Sequence, residues 1–208
     1  MSRSLVVLLH GVGSSGSDLA PLGAAWRQAL PETTFVAPDA PLPFGQGPGR
    51  QWFSVANITE ANRPERVAAA RAAFDRTLAE IIAAHGLTGH LDRVALVGFS
   101  QGAIMALDAV ASGRWPVAAV VAIAGRLATP PPLTPAKGTR ALLIHGAADP
   151  VIAAAESSRA GAILRDHSVA AVVHILAGVG HTISREGASL AETFLTETFN
   201  RPGVVAQA

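Results

Sequence analysis

The sequence predicts an α/β protein built on a doubly wound, mostly parallel sheet. Short apolar runs rich in Val, Ile, Leu and Ala alternate along the chain with longer stretches of helical character. The runs are apolar at nearly every position rather than at every second one. That is the pattern of strands covered by helices on both faces. The length adds a bound: 208 residues, half of them hydrophobic and 15% charged, supply a full core for one domain (1–208) and argue against disorder.

In chain order, Leu5–Leu9 reads as the first strand. A helix from about Asp18 to Leu30 follows, with Asp18 in the first turn where negative charge is favoured. Thr34–Ala37 is the second strand. From Pro38 to Ile58 recurrent proline and glycine break any period, so a long loop is expected. Asn62–His85 is helical, Arg93–Val97 a strand, Gln101–Ser112 a helix and Ala118–Ile123 a strand. Gly125 to Thr139, containing TPPPLTP, is a second long loop, and both loops should lie at one edge of the sheet. Ala141–His145, Ala153–Asp166, Ala171–Leu176 and Ile183–Asn200 then alternate strand and helix, and 201–208 is expected to fray. Periodicity leaves the strand order open.

Composition removes several function classes. A formal net charge of +1 and no run of Lys or Arg give no electrostatic footprint for nucleic acid. The absence of Cys excludes disulfides, thiolate nucleophiles and cysteine metal sites. The apolar run near the N-terminus is too short for a signal-peptide core or a bilayer span, so a cytoplasmic protein is expected.

The strongest chemical signal is LVGFSQGAIMAL. Gly98, Ser100 and Gly102 form G-x-S-x-G between a predicted strand and a predicted helix, the context a nucleophile elbow requires. Such a turn lifts the Ser100 hydroxyl above the sheet and leaves the Gln101 amide at a helix N-terminus. A serine needs a base, and the base an orienting carboxylate. Asp149 in LLIHGAADPV and His181 in AGVGHTI follow in the chain order Ser, Asp, His, each just beyond a predicted strand end.

A second loop needs a decision. In LLHGVGSSGSDL, Gly11, Gly13 and Gly16 match the G-x-G-x-x-G of a dinucleotide site, and Asp39 stands 23 residues later. That reading leaves Ser100, Asp149 and His181 unexplained. A glycine-rich loop that supplies an oxyanion donor uses all of them. Val12 N–H is therefore assigned as the donor paired with Gln101 N–H, and no cofactor is expected. His10 and His145 end strands beside Asp149 and His181, but their spacings match no metal motif; both are expected to fix loop geometry by hydrogen bonding. Asp39 breaks the triad order and reads as a turn residue. His85, His90 and His167 read as surface groups, and His174 as a strand residue. Phe44, Trp52 and Phe53 are candidates for walling an acyl pocket, with core packing as the alternative for each.

In the order LLHGVGSSGSDL, VALVGFSQGAIMAL, LLIHGAADPVI and GVGHTI, the chain resembles the phospholipase/carboxylesterase family of α/β-hydrolases, which includes the acyl-protein thioesterases. The segment from Gly49 to Val67 resembles a subgroup of bacterial serine esterases. The resemblance covers essentially the whole chain. It implies a minimal α/β-hydrolase fold without a lid domain, with Ser100 as nucleophile, Asp149 as orienting acid and His181 as base. The expected activity is that of a serine carboxylesterase on short-to-medium acyl esters; an acyl-protein or acyl-CoA thioesterase, or a non-catalytic binding protein on the same fold, is the alternative. Ser54 stands where many relatives carry Asp after Trp and an aromatic residue. The leading hairpin of larger hydrolases is expected to be absent.

Overall fold

The computed structural model describes residues 4–200. Its elements are β1 (Ser4–Leu9), α1 (Gly16–Trp26), β2 (Thr33–Val36), β3 (Leu42–Pro43), β4 (Arg50–Gln51), α2 (Arg63–Ala84), β5 (Val94–Phe99), α3 (Gln101–Ala111), β6 (Ala119–Ile123), β7 (Arg140–Gly146), α4 (Ala155–Asp166), β8 (Ala170–Leu176) and α5 (Arg185–Phe199). Six strands form one sheet in the order β2-β1-β5-β6-β7-β8, every neighbouring pair parallel.

The near-continuous apolar character of the strands has a direct cause. Alternate residues of one strand enter two different cores. Val6 and Leu8 of β1 with Ala95 and Val97 of β5 face Leu19 and Trp26 of α1 and Phe194 and Leu195 of α5. Leu5, Val7 and Leu9 with Val94 and Leu96 face the opposite core, with Phe74 and Leu78 of α2, Met105 and Leu107 of α3 and Leu164 of α4. Every residue of α3 is buried, which explains a helix apolar almost all round. Its one charge, Asp108, is fully buried and accepts from Arg71 Nε and Nη2 at 3.0 and 2.8 Å and from Arg114 Nη1 at 2.9 Å. These bonds tie α3 to α2.

One expectation needs correcting. The segment from Pro38 to Ile58 is not structureless: β3 and β4 form a small antiparallel hairpin, Leu42 opposite Gln51 and Pro43 opposite Arg50. Strands of two residues are too short for any periodic signal. The hairpin is held from outside, by Arg50 N–H donating to Ser14 O at 2.9 Å and Gly13 N–H donating to Arg50 O at 2.8 Å. The loop from Gly125 to Thr139 holds neither helix nor strand. The expected tail at 201–208 lies outside the described residues.

Candidate active site

The chain leaves β1 outward to β2 and later returns to β5 on the other side, so the strand order reverses between β1 and β5. Ligand sites of open α/β sheets form outside the strand C-termini at that reversal. Ser100 lies there, directly after β5. Its backbone adopts φ 52 and ψ −115, a conformation unusual for a residue with a side chain. Neighbouring bonds hold it: its N–H donates to Ile123 O at 2.9 Å, and its carbonyl accepts the first helical bond, from Ile104 N–H at 3.1 Å. Gly98 and Gly102 permit the turn by close approach. A Cβ at Gly98 would lie 2.4 Å from Ala103 N, and one at Gly102 would lie 2.1 Å from Leu9 O.

His181 Nε2 is 2.9 Å from Ser100 Oγ, and His181 Nδ1 is 2.7 Å from Asp149 Oδ2. The Phe99 ring packs against the imidazole, with centroids 5.1 Å apart. Asp149 Oδ1 accepts from the amides of Val151 and Ile152 at 2.8 and 2.9 Å. Burial pushes the Asp149 carboxyl up, but the His181 hydrogen bond, then the two amides, outweigh it and hold the group below the usual carboxylate value. An ionised carboxylate only accepts, so His181 Nδ1 carries the proton and Nε2 offers its lone pair to Ser100. The loops bearing Asp149 and His181 are joined by Ala147 N–H to Leu176 O at 2.8 Å and Ala148 N–H to Val179 O at 2.9 Å. Gly146 permits that contact, since a Cβ there would meet Val179 O at 2.2 Å.

The loop after β1 abuts the same serine. A Cβ on Gly11 would be 3.3 Å from Ser100 Cβ, and Val12 is the next residue. Gln101 is the first residue of α3, where a helix leaves its amides without intrahelical acceptors. Sequence reasoning missed what the Gln101 side chain does. Its Oε1 accepts from Trp52 N–H at 2.7 Å and its Nε2 donates to Phe53 O at 2.7 Å, both buried. The available signal was a long amide opening an otherwise apolar helix.

Of the three aromatic candidates, two change role. Trp52 and Phe53 are only 1% and 3% exposed and belong to the core around α2 and α3. The Trp52 ring meets Phe74 edge-on, and its indole N–H donates to His10 O at 2.9 Å, so neither side chain offers surface to an acyl group here. Phe44 is different: 39% exposed at the end of β3, it lies over Gly13 of the β1 loop. Ser54 Oγ accepts from Ala56 N–H at 3.3 Å, a local turn contact.

His10 Nε2 accepts from Ala40 N–H at 2.9 Å while Nδ1 lies 2.7 Å from Gly11 O, so this buried ring holds loops together. Asp39 does more than turn the chain: its Oδ1 accepts from Gly16 N–H at 2.8 Å, one of the amides at the start of α1 that lack an intrahelical acceptor. Among the described residues no group of three or more His, Cys, Asp or Glu is placed to hold a metal ion.

Comparison with known proteins agrees with this architecture. Residues 1–199 match the phospholipase/carboxylesterase family. The chain is 34% identical to the esterase YpfH of Escherichia coli strain K12 over 197 residues, 95% of this chain and 84% of that protein. It is 26% identical to acyl-protein thioesterase 1 of Neurospora crassa over 211 aligned positions, 92% of this chain and 85% of that protein. The crystal structure of esterase PE8 superposes with a TM-score of 0.81 at 38% identity, covering 95% of this chain and 93% of that one. With the family matched along its length and the α/β-hydrolase sheet in place, the chain belongs to the phospholipase/carboxylesterase family and is a hydrolase.

Proposed function

We propose that the protein is a cofactor-independent serine carboxylesterase acting on small acyl esters, as one domain in the cytoplasm. The observation that carries this reading is the unbroken hydrogen-bonded line from Ser100 Oγ through His181 to Asp149, set beside a helix N-terminus. His181 Nε2 takes the hydroxyl proton as Ser100 Oγ bonds to the acyl carbon. The carbonyl π pair moves onto oxygen, where the amides of Val12 and Gln101 receive the charge; one such donor is worth about 3–4 kcal/mol in comparable sites. Asp149 holds the imidazole in the required tautomer and stabilises the imidazolium. The imidazolium then protonates the departing alcohol as the tetrahedral species collapses to an acyl-serine. Water, deprotonated by His181, attacks the acyl carbon, and the imidazolium returns that proton to Ser100 Oγ as the C–Oγ bond breaks and the carboxylic acid leaves.

Phe44, exposed beside the Gly13 loop, is the side chain we assign to the acyl group. Neither nucleic acid nor a membrane span enters this reading: no described helix is long and apolar enough to cross a membrane. The likeness to an acyl-protein thioesterase favours one second reading, a thioesterase using the same machinery. The test is Ser100→Ala. Hydrolysis of a chromogenic ester should fall at least ~10³-fold with the fold intact, and organophosphonate labelling should vanish. Wild-type turnover in that variant refutes the mechanism. The ratio of kcat/KM for matched oxyester and thioester separates the two readings.

A further inference from the structure

The mechanism above leaves one buried titratable side chain in contact with its carboxylate unused. His145, on β7, is fully buried, and its Nε2 lies 3.1 Å from Asp149 Oδ2, the same oxygen that receives His181 Nδ1–H. The other neighbour of that nitrogen is Ile152 O at 2.9 Å. Both neighbours only accept, so Nε2 carries a proton and donates. Nδ1 stands 2.7 Å from the hydroxyl of Ser157, itself buried on α4. With Nε2 protonated, the neutral ring accepts the Ser157 hydroxyl proton at Nδ1, and every polar atom of the pair is satisfied.

We propose that His145 is a positioning residue for the reaction: a second imidazole that holds the Asp149 loop through Ile152 O and sets its N–H edge against the carboxylate. This rests on the reading of Asp149 as the orienting acid. The groups facing the carboxylate are His181 from the loop after β8, His145 from β7, and the amides of Val151 and Ile152; Ser157 on α4 backs His145. Oδ1 accepts two amides and Oδ2 accepts His181, while the His145 N–H, bonded to Ile152 O, lies against Oδ2 at 3.1 Å; together these contacts fix the plane in which Oδ2 meets His181. The positive end of the His145 N–H dipole, 3.1 Å from Oδ2, also offsets part of the charge there, so less of it stabilises the His181 imidazolium. Hydrogen bonds in a shared buried network alter one another in this way.

The experiment compares wild type, His145→Leu, His145→Gln, Ser157→Ala and Ser100→Ala on one soluble ester across pH, with thermal unfolding of each. Leu removes the donor; the Gln amide nitrogen reaches the place of Nε2 and restores it. His145→Leu should lose about 10- to 100-fold in kcat with KM little changed, as loosened catalytic geometry does. Its acid limb in kcat/KM should move to higher pH, because an undivided carboxylate keeps His181 protonated longer. His145→Gln should recover most of the rate and return the limb. A merely packing role predicts equal losses in Leu and Gln and an unmoved limb, and that result overturns the proposal. So does wild-type kcat in His145→Leu. Should that variant fail to fold, Ser157→Ala decides: a loss of about threefold or more in kcat is expected, and wild-type kcat in the folded variant overturns the proposal. Undiminished activity in Ser100→Ala would instead refute the parent mechanism.

Discussion

Gly98→Ala tests whether the turn that presents Ser100 depends on close approach of strand and helix. A Cβ at residue 98 would lie 2.4 Å from Ala103 N, 2.4 Å from Gly102 C and 2.5 Å from Ala103 Cα, all backbone atoms that no rotamer change can move aside. Ordinary contact begins at 3.4 Å, so the first turn of α3 must withdraw by 1.0 Å, the difference between 3.4 and 2.4 Å. Ser100 and Gln101 lie within the displaced segment. A shift of that size takes Ser100 Oγ out of its 2.9 Å contact with His181 Nε2 and re-aims the Gln101 amide. Misplacement by about 1 Å costs roughly 10²-fold in rate, and overpacking of this kind about 1–3 kcal/mol in stability. The assay is kcat with a chromogenic ester alongside urea unfolding, with Gly89→Ala as control, since nothing lies within 4 Å of a Cβ there. A Gly98→Ala protein with kcat within about threefold of wild type and unchanged stability would refute the steric argument.

Three further outcomes are expected. Asp108→Ala leaves Arg71 and Arg114 without their shared buried acceptor; both arginines are about a quarter exposed or less, so water recovers only part of the loss. A destabilisation of about 3 kcal/mol in urea unfolding follows, and less than about 1 kcal/mol would mean the network is idle. Asp149 titrates below the ordinary aspartate value of 3.8, because the His181 and amide bonds outweigh burial. A depressed folded value gives stability that is present above the unfolded value and lost as pH falls towards the folded one. The stability gap between wild type and Asp149→Asn should therefore shrink on acidification below about pH 4, and a gap constant with pH contradicts this. Finally, the loop between β6 and β7 carries no helix to close over substrate. Rates should rise up to about fourfold per acyl methylene on short chains and then level off, without a jump when substrate forms micelles. Continued steep growth through long chains, or interfacial activation, would reveal a closed tunnel.

Much of this was legible beforehand, for physical reasons that differ by element. The strands β1, β5, β6 and β7 announce themselves because both faces are buried. The grouping of Ser100, Asp149 and His181 was readable because each follows a strand end, where sequence punctuation is strongest, and the structure brings the three side chains into hydrogen-bond contact. The order β2-β1-β5-β6-β7-β8 was not readable, since pairing between strands leaves no mark on either strand's own pattern. The hairpin of β3 and β4 is too brief to carry a period. Trp52 and Phe53 look like pocket residues in a loop, yet three hydrogen bonds (to His10 and Gln101) pull them inward. Asp39, bonded to the first amide of α1, gives the acid beyond the glycine loop a role in the fold that needs no nucleotide.

The clamp of Gln101 on the Trp52–Phe53 backbone has a consequence for specificity. One side chain fastens the loop after β4 to the residue following Ser100, so on the proposed mechanism a shift near Trp52 reaches the reacting serine. The far end of the same hairpin is less constrained: a Cβ at Gly47 would meet nothing within 4 Å, although Gly45, at φ 64, still favours glycine. With Phe44 against the acyl group as proposed, exchange of that side chain alters which acyl group fits while Ser100, Gln101 and His181 keep their places. On the proposed assignment, the fold separates the part that selects an acyl group from the part that cleaves it.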